Sequence, residues 1–325
     1  MNNASDGLVY GHRLGSGKLE DSLTWADVEV WRPEQGLLWI HLDASHETVR
    51  QWLTEKSGLN ALVQEALMEV GTRPRSVVSE SGVLAILRGV NCNPGADPED
   101  MVAIRMFVTE HRIITMRRNR LMAVQDIHES LRTGNGPASA GAFFVAVVDR
   151  ITERIGEIVG DIEDRVAEVE DAIVKAETAE IRPLLAELRR ESISLRRYIA
   201  PQRDMLARLA HERIAWLTDA DKTLLRENAE RTARYVEDID AARERALISQ
   251  EELNSRLSEQ MNRAMYTLSI VAAVFLPLGL LTGLLGINVG GIPGTDSQWA
   301  FLIVTIFLVV LAIGLIAWFK KLKWL

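Results

Sequence analysis

The residues best suited to chemistry lie late in the chain, in GLLGINVGGIPG, Gly283 to Gly294. Their polar equipment is one side-chain amide, Asn288, set behind Gly286 and Ile287 and flanked by further glycines. A neutral amide can hydrogen-bond the water around a cation without gripping the ion, whereas a carboxylate would bind more tightly and slow release. The stretch also sits between two apolar runs of bilayer length. Irregular backbone is tolerated there only where it lines water or is buried in protein. It therefore reads as the mouth and filter of a cation path.

Two spans must position it. Tyr266 to Ile287 has 22 residues without a charge and Trp299 to Phe319 has 21, each enough for a membrane-crossing helix. Arg256 and Arg263 precede the first span, Lys320, Lys321 and Lys323 follow the second, and no lysine or arginine separates them. The positive-inside rule puts both flanks in the cytoplasm and residues 288–298 outside. Two spans cannot enclose a pore, so a channel requires an oligomer. Steps of three or four along the first span give a pore-lining face of Met265, Leu268, Ala272, Leu276, Gly279 and Gly283, running on to Gly286. The same glycines also suit close helix packing. Pro277 removes a hydrogen bond to the carbonyl of Ala273. The second span, with Trp299 and Trp318 near its ends, reads as the lipid-facing helix. Neither span carries a carboxylate, histidine, lysine or arginine, which favours passage of a hydrated cation over tight midplane binding.

The rest of the chain is acidic and mixed in structure. The 325 residues carry 37 basic and 45 acidic side chains, of which only four and one lie from Arg263 onward. Residues 1–262 thus hold 33 basic against 44 acidic groups, a balance that disfavours nucleic acid and favours cations. LVYGHRL, LLWIHLD, SVVSE, VLAILRGVN, MVAIRMFV and HRIITMR read as strands. Helices are predicted from a Ser45 cap to Lys56, over Asn60–Val70, from Gly141 to Ala176, and from Ala179 to His211. A third long helix, capped by Thr218 or Asp219, has no stop before the glycine-rich stretch; some 65 residues would extend about 100 Å. Its stripe of Leu225, Ala229, Thr232, Val236, Ile239, Arg243, Ala246, Gln250, Leu253, Leu257 and Met261 is a packing seam, or, where Thr232, Arg243 and Gln250 interrupt it, the wall of a wet channel. The expected division is an α/β cytoplasmic domain (1–140), a helical acidic and stalk region (141–265), the pore-lining span (266–287), a periplasmic loop (288–298), the second span (299–319) and a basic cytoplasmic tail (320–325).

Other residues invite chemistry less strongly. His12, His41, His46, His111, His128 and His211 show no HxxxH or similar ligand spacing, so structural or surface roles are expected of them. The acidic side chains between Glu153 and Asp171 read as a solvated face, or as a means of concentrating cations. Asp296, in the outer loop, is a candidate for cation capture. Lys320, Lys321 and Lys323 suit topology and anionic lipid contact, and in an oligomer could form a basic ring at the cytoplasmic mouth. One cysteine, Cys92, leaves no internal disulfide framework and suits a reducing compartment. MNNASDG lacks the basic and apolar regions of a secretion signal, so insertion is expected to rest on the two spans. Neither a nucleophile–base constellation nor a phosphate-binding glycine loop suggests an enzyme, and no cofactor is expected.

The two closely spaced spans, FLPLGLLTGLLGIN ending in glycine-x-asparagine, the long preceding helix and the tail KLKWL resemble the CorA-type divalent metal ion transporters. The usual magnesium-transporting members carry glycine-methionine-asparagine. Gly286-Ile287-Asn288 followed by VGGIPG is instead similar to the zinc transporter (ZntB) branch, as are TRPRSVVSESGVLAILRGVN and RRYIAPQRDMLARLAHER. The resemblance implies a CorA-like homopentameric funnel in a bacterial inner membrane, with both termini cytoplasmic and a pore lined by the first span. It implies Zn²⁺ as transported substrate, with Ni²⁺ and Cd²⁺ as further substrates and proton-driven uptake in some members. Carried over, Asn288 would set five amides around the axis, touching the ion through its hydrating water, with Gly286 and Ile287 completing the filter. An outer-sphere filter suits Mg²⁺ too, so a Mg²⁺ or Co²⁺ channel of the same family stays open, as does a non-transporting, membrane-anchored sensor or scaffold.

Overall fold

The computed structural model describes residues 6–15, 17–175, 181–287, 294 and 297–322, and the chain divides into two compact units, Met1–Gln250 and Glu251–Leu325. The first begins with β1 (Leu8–Gly15), β2 (Lys18–Ser22), α1 (Trp25–Val30), β3 (Leu37–Asp43), α2 (Glu47–Glu55) and α3 (Ala61–Met68). It continues through β4 (Arg75–Ser79), β5 (Gly82–Gly89), β6 (Val102–Val108), β7 (Arg112–Arg117) and α4 (Met122–Arg132). The seven strands form one sheet in the order β2-β1-β3-β7-β6-β5-β4. β3 and β7 pair in parallel, and the other described pairs are antiparallel.

Six of the strands fall where alternating β-branched residues predict them. β2, KLEDS, is too polar to announce itself and owes its strand state to pairing with β1. The six-residue α1 is too short for a period; a reciprocal cap between Thr24 and Asp27 starts it. The cap expected at Ser45 is not there. α2 starts after His46, and the Ser45 hydroxyl donates back to Asp43 instead. Asn60 does cap α3, accepting from the Val63 amide at 2.9 Å.

Strand alternation gives the sheet two chemically different faces. Leu38, Ile40, Leu42, Ile114 and Met116 face an aliphatic core with Val49, Leu53, Val63 and Leu67 of α2 and α3. Tyr10, His12, Trp39, His41 and Thr115 share the opposite face, where His12 is paired with Trp39, and His41 with both Tyr10 and Thr115.

Three long helices follow: α5 (Ala140–Val174), α6 (Ile181–His211) and α7 (Asp219–Leu285). Ser139 caps α5 through the Ala142 amide, and Thr218 and Asp221 cap α7 reciprocally. Helical spacing buries Ile151, Ile155, Val159, Ile162 and Val166 of α5 with Leu185, Leu188, Leu195 and Ile199 of α6. On α7 the buried stripe is Leu225, Ala229, Thr232, Val236, Ile239, Ala242 and Ala246. Two of the interruptions, Thr232 and Gln250, are engaged within this unit. Thr232 is fully buried, its hydroxyl donating to the Asn228 carbonyl at 2.6 Å. Gln250 accepts from Arg189 of α6 at 2.8 Å. Arg243 is exposed, because the tighter helical step brings Ala242 onto the seam in its place. Ion pairs fasten the edges: Arg231 to Asp149 at 2.9 Å and Arg196 to Asp240 at 2.6 Å.

Gly156 of α5 faces the side chain of Tyr235 of α7, and a Cβ there would collide with the Tyr235 hydroxyl. Gly156→Ala is expected to cost about 1–3 kcal/mol through overpacking, read as a lower thermal midpoint of the full chain in detergent. Adding Tyr235→Phe, which removes the colliding oxygen, should recover part of that loss.

Candidate functional site

The second unit contains the end of α7 and α8 (Ala300–Lys321), and both helices are long and apolar enough to cross a membrane. Their side chains are largely uncovered by their own chain. Leu276 is 71% and Phe301 83% exposed, far beyond what a water-soluble surface sustains over a continuous apolar area. Cover must come from lipid or from other chains.

Exposure is not uniform around α7. Ile270, Val274, Leu278 and Leu281 are half-buried and recur at helical spacing, as do Val304, Leu308, Leu311 and Leu315 on α8. The opposite side of α7 holds Met265, Leu268, Ala272, Leu276, Gly279 and Gly283. All of these are exposed except Ala272, which is half-buried. A Cβ added at Gly279 or Gly283 would meet nothing within 4 Å. Within one chain, then, these glycines do not serve helix contact; they leave a smooth, open face, with bulky side chains at one end and none at the other.

The hydroxyls of the spans are largely committed. Thr267 donates to the Arg263 carbonyl at 2.9 Å, Ser269 to Met265 at 2.8 Å and Thr305 to Phe301 at 2.8 Å. Thr282 reaches the carbonyls of Leu278 at 3.0 Å and Gly279 at 3.1 Å. Such back-bonding satisfies a hydroxyl where no water is available, and leaves only its lone pairs for anything passing by. α7 ends at Leu285, and the Gly286 amide closes the last turn by donating to Thr282 at 2.9 Å. Gly286 and Ile287 therefore lie just past the helix, both exposed. Asn288, Asp296 and Lys323 lie outside the described residues. Lys320 and Lys321 occupy the last turn of α8, where cations complement the helix dipole.

Away from the spans, the acidic stretch of α5 is laced with arginines. Arg165 pairs with Glu191 at 2.7 Å and also approaches Glu187 and Asp161, inside a cleft of about 490 Å³. Burial pushes the Glu191 carboxyl up despite that partner. Arg154 holds Asp126 at 2.7 Å, and Arg245 binds Glu170. No group of three or more metal-ligating side chains with suitable geometry occurs among the described residues.

Sequence spacing did not anticipate one gathering of titratable groups. His12 of β1, His41 of β3 and His128 of α4 meet around Tyr10. The period-2 pattern alone could pair His12 with Tyr10 on one face, but the register between strands and the docking of α4 are tertiary.

An α/β unit, three long helices and two apolar spans, with an open glycine face before a glycine-isoleucine turn, define a membrane protein of the metal-ion transporter class. Residues 34–321 match the profile of the CorA-like Mg²⁺ transporter protein family, and the chain belongs to that family. It is 37% identical over 287 residues, 88% of each chain, to the zinc transport protein ZntB of Pectobacterium carotovorum subsp. carotovorum (strain PC1). Over 329 residues, covering 98% of this chain and 97% of the other, it is also 37% identical to the divalent cation transporter CmaX of Pseudomonas aeruginosa. The solved structure of the full-length CmaX protein superposes with a TM-score of 0.85 at 36% identity, covering 98% of both chains.

Because the glycine face is open within its own chain, Gly279→Ala and Gly283→Ala should each leave the helix content unchanged by circular dichroism. Alanine favours a helix by about 1 kcal/mol over glycine. Any loss of function in these variants is then to be read as interference with the path or with a partner chain.

Proposed function

We propose that this protein carries divalent metal cations across a bacterial inner membrane as a homopentamer, with Zn²⁺ the principal substrate and Ni²⁺ and Cd²⁺ as further candidates. The observation that carries the reading is the uncovered, charge-free face from Met265 to Gly283, leading to Gly286-Ile287 in a chain of this family. One such face encloses nothing, whereas copies around an axis give a bore with aliphatic walls and glycines at the filter end. Asn288 from each copy then holds the water of the ion rather than the ion itself.

The positive charges flanking the spans orient both termini to the cytoplasm. Lys320, Lys321 and Lys323 then lie at the inner surface beside anionic lipid headgroups, and as a ring they oppose cation passage at the cytoplasmic mouth. Asp296 lies on the outer side, where it draws cations to the entrance. With no carboxylate, histidine, lysine or arginine in either span, proton coupling must run along the water of the path, through the outer loop or through the first unit.

A second reading, a Mg²⁺ or Co²⁺ channel, has a specific basis: the family profile is that of a Mg²⁺ transporter, and an amide filter acting through water suits Mg²⁺ equally well. Flux into proteoliposomes under a set pH gradient separates the two. Saturable Zn²⁺ uptake that survives excess Mg²⁺ is expected, and Mg²⁺ uptake insensitive to Zn²⁺ would overturn the substrate assignment. Asn288→Ala should lower that Zn²⁺ flux at least tenfold, and unchanged flux removes the filter assignment. Asp296→Asn should raise the half-saturating Zn²⁺ concentration at low ionic strength and have little effect at high salt.

A further inference from the structure

Nine methionines occur in the chain. Met101, Met106, Met116 and Met205 are buried in the first unit, and Met68 and Met122 are half-buried. Among the described residues the exposed ones are Met261 and Met265, at 66% and 59%. Both belong to α7 in the second unit, four residues apart, just ahead of the span that starts at Tyr266.

The stretch around them is otherwise polar, with Ser258, Glu259, Gln260, Asn262 and Arg263 exposed beside them. Packing within the chain does not account for two uncovered thioethers there. At about 100° per residue they stand about 40° apart on the helix, in one sector with Leu268, Ala272, Gly279 and Gly283. Glu259 and Arg263, which pair with each other across one turn, lie about 160° from Met261. From Gln260 to Gly283 the sequence has neither a carboxylate nor a histidine, so the donors on this sector are the two sulfurs.

We propose that Met261 and Met265 form a two-point thioether site for a soft monovalent cation of the Cu⁺ or Ag⁺ class, at the cytoplasmic end of the open α7 face. Its place on an ion path rests on the transport proposed above; its chemistry does not.

Residues four apart on a helix have Cβ atoms roughly 5–6 Å apart. Each methionine adds a flexible, unbranched side chain ending in a polarisable thioether. The two sulfurs can therefore turn toward one ion held between them. Neutral sulfur donors select soft ions such as Cu⁺. They do not compete with the water of Mg²⁺, and Zn²⁺ is bound by thiolate, imidazole and carboxylate rather than by thioether. The pair thus lets hydrated divalent ions pass and retains a soft one. A retained cation repels the next cation to arrive, so a soft metal at this site blocks the path.

Cys92, the one cysteine of the chain, is replaced first, because its exposed sulfur would bind the same ions. X-ray absorption at the copper edge of the full-length Cys92→Ser chain in lipid nanodiscs, loaded anaerobically with Cu⁺, should show sulfur neighbours, which only thioethers can then supply. Adding Met261→Leu/Met265→Leu, which keeps apolar side chains of similar volume, should remove them. Either single change should weaken Cu⁺ binding at least tenfold in competition with a chromophoric Cu⁺ chelator, because one point of attachment replaces two. Copper bound by nitrogen and oxygen alone in the Cys92→Ser chain overturns the site, and that measurement needs no methionine variant to fold. Sulfur neighbours that survive the double change overturn it as well. In proteoliposomes, Ag⁺ should slow Zn²⁺ flux through the Cys92→Ser chain at least fivefold, and the double change should relieve that block. Undiminished flux in the presence of Ag⁺ overturns the block. A chain that carries no Zn²⁺ at all defeats the transport reading instead, and the absorption measurement still decides the site.

Discussion

In an apolar phase every polar group needs a partner already in the chain, and this requirement shapes the second unit. Its two spans are helical, their serine and threonine hydroxyls bond to carbonyls one turn back, and they carry no carboxylate, histidine, lysine or arginine. A divalent ion, which surrenders its water reluctantly, finds nothing along such helices to replace that water. Under the proposed transport, the design consistent with this is a path wide enough for the hydrated ion, with polar contact deferred to the end of α7. Glycine suits that face because it adds no bulk and asks for no partner.

The first unit meets the same requirement by a different route. Many of its polar groups are matched with one another: arginine to carboxylate along α5, α6 and α7, threonine and tryptophan around a single shared hydroxyl in the sheet. Such networks are strong when complete and costly when one member changes its charge. That is why the acidic α5, conspicuous by composition, is less available to ions than its charge count implies.

Much of this was legible in the sequence. Strands rich in β-branched residues, the long helices and the two spans all follow from periodicity and charge, and the family resemblance follows from GIN with its flanking helices. Short elements were not legible: β2 has almost no apolar content, and α1 exists through one cap. The near-heptad step of the α7 stripe puts Arg243 where the structure puts Ala242. A helix packed inside one unit follows its own 3.6-residue period. The meeting of His12, His41 and His128 was hidden for a different reason. It joins residues up to 116 positions apart through strand register and helix docking, neither of which leaves a local signal.

The parallel pairing of β3 with β7 has a consequence for biosynthesis. β3 pairs with β1 at once but cannot find its second neighbour, β7, until residue 117 has been made, so the sheet is joined late relative to its first strands but early relative to the whole chain. About 150 residues separate that point from the first span, which gives roughly ten to thirty seconds at ordinary elongation rates. The ribosome can thus deliver a joined sheet well before it delivers the hydrophobic spans, so that the chain reaches the insertion machinery with β3 and β7 already paired.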